Sequence, residues 1–340
     1  MIKSGYLASF WQKKNGENIL CLLCPHKCII ASGKSGFCKV RRNIKGHLYT
    51  FTYGNISSIS ANPIEKKPLF HFYPGTKALT VGSWSCNFRC PWCQNWDISQ
   101  QVKKGTSLTP VQFVNLIKPT NCQGTSISFN EPTLLWEWMV EVFYRAKESG
   151  YYNTLVTNGF INKAPLKELI LAGLDAVNID VKGINPKIDL LTKGKQKVVW
   201  DNCLFLKDKG IHIEITTLIV TGVNDNLEEL TEISRRIYTY LGNSTPWHCN
   251  CYYPQWKFKA PSPSVNFLKE VFEVAKKTGL NYVYLGNLSS KFNTPYQNTY
   301  CPKCKALLIK RDYPKVIKFL NNKYCLECGE EIAGVYGEIG

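Results

Sequence analysis

The stretch A-L-T-V-G-S-W-S-C-N-F-R-C-P-W-C-Q-N-W-D, Ala78 to Asp97, joins a short β-branched run to three cysteines spaced C-x3-C-x2-C. Ala78 to Gly82 predicts a strand, so Cys86, Cys90 and Cys93 lie on the loop directly after it. Three thiolates on one loop can hold three corners of an iron–sulfur cubane. Electron-transfer [4Fe–4S] clusters use four cysteines, and no fourth is adjacent here. The remaining iron of such a cluster is open to a ligand from outside the protein. Structural zinc reads less well, because it wants four ligands and is usually built from paired C-x2-C knuckles.

The same strand-then-loop pattern recurs downstream. Short apolar or β-branched runs occur at Thr125 to Phe129, Asn153 to Thr157, Asp175 to Val181, His212 to Leu218 and Trp247 to Tyr252, and Tyr282 to Gly286 extends the series. Amphipathic stretches separate them: Thr109 to Lys118, Pro132 to Ser149, Ala164 to Ala172, Asn226 to Leu241 and Ser264 to Thr278. Alternating βα units argue for a parallel sheet with helices packed on it. Six units are too few for a closed eight-stranded barrel. They predict an α/β fold, a partial (β/α)6 barrel over residues 77–290 with its active site at the strands' C-terminal ends.

The flanks carry the other cysteine clusters. Cys301 and Cys304 pair with Cys325 and Cys328 as two C-x2-C knuckles at zinc-ribbon spacing, which predicts a structural zinc module over 291–340. Cys21, Cys24, Cys28 and Cys38 form a module within 1–76. Zinc and an auxiliary iron–sulfur cluster both accept four soft thiolates, so the spacing leaves that choice open, and His26 is a further candidate ligand. Cys122 and Cys203 read as small buried hydrophobes, whereas Cys249 and Cys251 stand on alternate positions of a strand beside His248 and Tyr252.

Composition bounds the rest. The 340 residues are 44% apolar, far from a disordered composition. No run of about eighteen apolar residues occurs, and the first residues lack the apolar core of a secretory signal, so a cytoplasmic location without membrane attachment is expected. A reducing cytosol directs fifteen cysteines towards metals rather than disulfides. The net charge of +17 attracts polyanions, but the basic residues are dispersed, densest from Lys182 to Lys197, which favours a solvated surface over a nucleic-acid tract.

The C-x3-C-x2-C loop with Trp92 before its last cysteine resembles the signature of the radical S-adenosylmethionine (SAM) superfamily. C-L-L-C-P-H-K-C from Cys21, S-G-F-C-K-V-R-R-N from Ser35, K-K-P-L-F-H-F-Y-P-G from Lys66, F-R-C-P-W-C-Q-N-W-D-I-S-Q from Phe88 and C-P-K-C from Cys301 resemble, more closely, the AmmeMemoRadiSam system radical SAM enzymes, a group similar to pyruvate formate-lyase activating enzymes. This resemblance implies a [4Fe–4S] cluster on Cys86, Cys90 and Cys93, SAM on its open iron, and a low-potential electron donor of ferredoxin or flavodoxin type. It also implies SAM contacts from Trp92, from Asn130 and Glu131 in F-N-E-P-T, from Asn158 in T-N-G-F, and from Thr217. Asp180 would meet the ribose hydroxyls and Lys182 the methionine carboxylate. Phe129 and Asn130 stand where relatives have glycines, Thr221 stands where activases usually have proline, and their sugar-binding histidine has no counterpart in Asn226 to Leu230.

The expected activity is reductive cleavage of SAM to a 5′-deoxyadenosyl radical that takes hydrogen from a substrate, making the chain an oxidoreductase. Likeness to the activases points to a protein glycyl residue and to companion proteins; an RNA base or a small metabolite is the alternative within the same chemistry. A non-catalytic zinc-ribbon protein that binds nucleic acid is the rival of a different class, and a three-thiol site is what it has no need of.

Overall fold

The computed structural model describes residues 5–288, 295–312 and 315–337. Its centre is one eight-stranded sheet. We number the strands β1 (Ser58–Pro63), β2 (Lys77–Gly82), β3 (Gly124–Ile127), β4 (Tyr152–Thr157), β5 (Ala176–Asp180), β6 (His212–Ile219), β7 (Trp247–Cys251) and β8 (Val283–Gly286). They lie side by side in chain order, β2 to β8 parallel and β1 antiparallel on β2 at the edge. The edges β1 and β8 do not pair, so the barrel is partial. Tyr282 to Gly286 thus supplies a seventh parallel strand to the six expected.

The helices are α1 (Pro110–Asn115), α2 (Trp136–Glu148), α3 (Lys163–Leu171), α4 (Pro186–Thr192), α5 (Gln196–Asp208), α6 (Leu227–Arg236) and α7 (Val265–Lys277). Their starts are written locally: Thr109 and Gln112 form a capping box at α1, while Asn185, Asn226 and Ser264 cap α4, α6 and α7. Helices α4 and α5 were not expected. The lysines of Lys182 to Lys197 read as solvated surface, and the pair is broken at Lys193, whose φ of 59° ends α4 in the left-handed region.

Side-chain alternation divides the sheet into two faces. Val177, Ile179, Ile213, Ile215 and Leu285 belong to the apolar core beneath the helices. The opposite, inner face is plugged at the strands' N-terminal end by the segment after β1, where Ile64, Leu69 and Phe72 pack on Ala78, Tyr152 and Ala176. Strand β1 and this plug belong to the barrel although they precede residue 77, the expected boundary. Ser58–Pro63 gives little sequence signal because it is a largely exposed edge strand of small and polar residues.

Short antiparallel sheets build the N-terminal module: Tyr6–Leu7, His47–Thr50 and Arg41–Ile44 form one, and Trp11–Lys13, Ile19–Cys21 and Ile29–Ile30 another. A third, of Thr299–Tyr300, Leu307–Asp312 and Lys315–Lys318, holds the Cys301 knuckle between its first two strands, and the two-stranded sheet of Leu320–Asn321 and Tyr324–Cys325 brings in the other. The expected boundary at 290/291 falls outside the described residues. Among the described residues no helix is long and apolar enough to cross a membrane.

Candidate active site

Cys86, Cys90 and Cys93 sit on the loop between β2 and α1, at the C-terminal edge of the sheet. The loop is held from several sides. Asn130 Oδ1 accepts from Ser83 N–H at 2.9 Å, and its Nδ2 donates to the carbonyls of Trp84 and Ser85 at 3.1 and 2.9 Å. Ser85, with φ of 68°, donates its hydroxyl to the Cys38 carbonyl at 2.6 Å, and Arg89 donates to the Cys86 and Phe37 carbonyls. The loop is therefore fixed before any cofactor arrives.

Hydrogen-bond donors lie near Cys86 and a cation near Cys90 and Cys93, while the Glu131 carboxylate opposes charge on Cys86. Phe88 N–H reaches Cys86 Sγ at 3.2 Å, and Asn158 Nδ2 lies 3.7 Å from it while donating to Asn87 Oδ1 at 2.8 Å. Burial pushes the Cys90 thiol up to about 12 against the pull of the Lys182 cation, which also acts on Cys93. Lys182 Nζ lies 2.5 Å from Asp180 Oδ2. Burial alone would lower the lysine's pKa, but Asp180 and the Cys90 thiol raise it above the usual value. Gln196 Oε1 accepts from Lys182 N–H at 3.2 Å, and Asn224 Nδ2 donates to the Lys182 carbonyl at 2.8 Å, so α5 and the loop after β6 fix its backbone. Three thiols on one loop, with N–H groups aimed at one and a cation beside the other two, fit three cluster thiolates.

The profile of the Radical SAM superfamily matches residues 84–237. The Methanocaldococcus jannaschii protein MJ0808 is 40% identical over 333 residues, 96% of this chain and 98% of its own. The chain belongs to the radical SAM superfamily. The pyruvate formate-lyase-activating enzyme of Streptococcus mutans is 27% identical over 200 residues, 55% of this chain and 74% of that enzyme. Streptococcus suis SuiB bound to S-adenosylmethionine shares the fold, with a TM-score of 0.52 at 12% identity over 66% of this chain and 53% of its own. The chain is an enzyme related to the activating enzymes, and a radical SAM domain implies a [4Fe–4S] cluster and SAM as its cofactors.

The other expected contacts fall around this radical SAM loop in different ways. Trp92 is buried, its ring edge-on to Phe258 at 5.9 Å. Phe129 adopts a φ of 69°, in the left-handed region that favours glycine. The Glu131 carboxylate is enclosed and saturated: Oε1 accepts from Thr133 N–H, the Thr133 hydroxyl and the Thr157 hydroxyl, and Oε2 from Asn158 N–H. Asn130 is likewise spent on the cluster loop. Thr217 has Cys249 as its partner in register, both face the helices, and its hydroxyl accepts from Trp247 Nε1 at 3.0 Å. Thr216 is the residue of that pair turned to the inner face.

Cys249 and Cys251 face the helices as buried apolar groups. His248 faces inward but is bound to Glu214 at 2.7 Å, and Tyr252 donates to the Phe258 carbonyl. In the N-terminal module Cys21, Cys24, Cys28 and Cys38 line one small cavity. His26 lines the same cavity, and its Nε2 donates to the Asn87 carbonyl at 2.8 Å, which leaves Nδ1 as the ring atom it could offer a metal. In the C-terminal module the Cys301–Cys328 and Cys304–Cys325 sulfurs are 3.6 Å apart, and all four lie within 4.8 Å of one another, close enough to share a metal. Gln196 had no sequence signal of its own, whereas Arg89 lies inside the F-R-C-P-W-C motif and Asn224 in the T-L-I-V-T-G-V-N-D stretch, where neither was given a role.

Proposed function

We propose that this enzyme cleaves SAM reductively at a cluster held by Cys86, Cys90 and Cys93 and takes a hydrogen atom from a substrate at the open end of the inner face. The observation that carries this reading is the Asp180–Lys182 pair beside Cys90 and Cys93, a carboxylate and a cation that suit the ribose hydroxyls and the methionine carboxylate of SAM. When bound, the cluster and SAM supply an electron and a 5′-deoxyadenosyl radical. The chain's own residues supply position: Lys182 receives the methionine carboxylate, Asp180 accepts from the ribose hydroxyls, and Asn158 and Phe88 N–H donate to the Cys86 sulfur. The buried Trp92 keeps water from that side of the loop. Electrons come from a ferredoxin- or flavodoxin-type donor.

Likeness to the activating enzymes supports a protein glycyl residue as hydrogen donor, and motifs spread along nearly the whole chain support the AmmeMemoRadiSam group with its companion proteins. A second reading, a small metabolite, is favoured by the polar atoms of the inner face. The C-terminal knuckles suit zinc, because a tetrahedron with Zn–S of about 2.3 Å has edges of about 3.8 Å, near the sulfur separations there. The N-terminal four suit zinc or an auxiliary cluster. The test is anaerobic reconstitution with iron and sulfide counts, followed by reduction in the presence of SAM. Wild type should release 5′-deoxyadenosine, and the variant Cys86→Ser/Cys90→Ser/Cys93→Ser should lose that iron and all cleavage. A triple variant that still cleaves SAM would overturn the proposal.

A further inference from the structure

The inner face above the plug carries polar atoms with nothing bonded to them. Ser126 Oγ, Asn178 Oδ1, Asp180 Oδ1 and Thr216 Oγ1 are buried without a hydrogen-bond partner. Register and alternation put all four on the face away from the helices: Asn178 pairs with Glu214, Asp180 with Thr216, and Ser126 with Thr80 and Thr154. Such orphans are uncommon in folded chains, and four on one wall mark a place where a polar ligand belongs. The wall opens at the C-terminal ends of the strands, where Val156, Asp180, Leu218 and Asn250 are partly exposed.

Lys67 enters the same space from the plug. It is 5% exposed, and its ammonium has one long contact, 3.5 Å from the Ser128 hydroxyl, while resting 4.8 Å from the centre of the Phe129 ring. Among the described residues it forms no ion pair, whereas the buried Arg41 meets Glu137 and Lys182 meets Asp180. Burial and the neighbouring Lys66 lower its pKa to about 8, so it still carries its charge at neutral pH. A buried cation without a counter-charge is costly, and an anion arriving on this wall would remove that cost. The position suits a substrate: Phe129, under the lysine, accepts through its carbonyl from Asn95 of the cluster loop at 2.6 Å.

We propose that this wall is the substrate subsite, that Lys67 binds an anionic group of a small substrate, a carboxylate or a phosphate, and that Ser126, Asn178 and Thr216 meet its other polar atoms. The proposal rests on the reading that hydrogen is taken at the open end of the inner face, and it favours a small metabolite over a glycyl residue.

The experiment is calorimetric titration of the reconstituted, SAM-loaded enzyme with two probes, inorganic phosphate and malonate. Wild type should bind one of them at a single saturable site. Lys67→Met, close in volume and without charge, should weaken it about ten-fold or more, and Lys67→Arg should retain it within a few-fold. The anion that shows this dependence names the group. Equal binding by wild type and Lys67→Met, or no saturable site for either anion in wild type, would overturn the proposal. So would a Lys67→Met variant whose SAM affinity falls while anion binding stays, since the lysine would then serve SAM. Wild type that forms no 5′-deoxyadenosine would sink SAM cleavage but leave the anion titration readable.

Discussion

Lys182 Nζ and Asp180 Oδ2 are 2.5 Å apart, and the pair stands beside Cys90 and Cys93 rather than on open surface. Asp180 closes β5 and Lys182 follows two residues on, so strand alternation sends both side chains to the inner face. The lysine side chain is 12% exposed and the aspartate 31%. On the proposed reading, SAM binding has to share this pair between its own carboxylate and ribose.

Each of Asp180→Ala and Lys182→Ala should weaken SAM binding about ten- to a hundred-fold, the range of one charge-assisted hydrogen bond. The two groups act as a unit, so the double variant should lose little more than the worse single one. Titration of SAM against the cluster's electron paramagnetic resonance signal measures all four proteins at constant iron content. Fully additive losses would show two independent contacts, and wild-type affinity throughout would reduce the pair to a structural ion pair.

Asn130 spends its side-chain amide on three hydrogen bonds to the backbone of Ser83 to Ser85. Asn130→Ala should therefore act on the cluster loop: about 2–3 kcal/mol of stability lost through unpaired backbone groups, and faster loss of iron to a chelator. SAM affinity in the fraction that retains its cluster should stay near wild type. If cluster retention is unchanged while SAM affinity falls, Asn130 contacts SAM after all.

The parts of this enzyme legible in its sequence are those encoded by local spacing. The C-x3-C-x2-C loop, the two C-x2-C knuckles and the parallel strands follow from neighbours a few residues apart, and Asp180 with Lys182 follows from the period of a strand. Residues that act across the fold left no such mark. Gln196 fixes the Lys182 backbone from 14 residues away, and although Asn224 and Lys67 stand in motif stretches, nothing local shows that they reach Lys182 across 42 residues and Ser128 across 61. Thr217 was expected from the resemblance alone, and in T-T-L-I one residue of register decides which threonine faces inward, so a one-residue slip reverses the face.

The C-terminal sulfurs make a metal prediction. Cys301→Ser or Cys325→Ser should cost about one zinc per chain and destabilise the tail, because binding energy at a structural site is folding energy. SAM cleavage should persist in the soluble fraction. Metal analysis of purified wild type decides: iron at these thiols, or no metal, would refute zinc.

The tail is also joined to the barrel through a histidine. Arg311 donates to the Thr299 hydroxyl at 2.9 Å, Thr299 lies 2.8 Å from the Tyr284 hydroxyl, Tyr284 lies 2.6 Å from His71 Nε2, and His71 Nδ1 lies 2.8 Å from the Ala333 carbonyl. The Ala333 carbonyl only accepts, so His71 is protonated on Nδ1, and in the neutral ring Nε2 accepts from the Tyr284 hydroxyl. Burial lowers its pKa to about 3 although Glu214 pulls the other way. In the unfolded chain the same group titrates near 6.5. The unfolded state thus holds the extra proton between those values, so the contribution to stability is complete above about pH 6.5 and is lost as pH falls, at about 1.4 kcal/mol per unit. Glu214, which burial would raise but His212 and His248 hold well below the usual range, acts in the same direction only below about pH 4.5. Urea unfolding of wild type should therefore lose about 2 kcal/mol between pH 6.5 and 5 from this one group. His71→Gln, less stable at pH 7, should lack that slope. Parallel slopes for the two proteins would show that His71 is already charged in the folded chain.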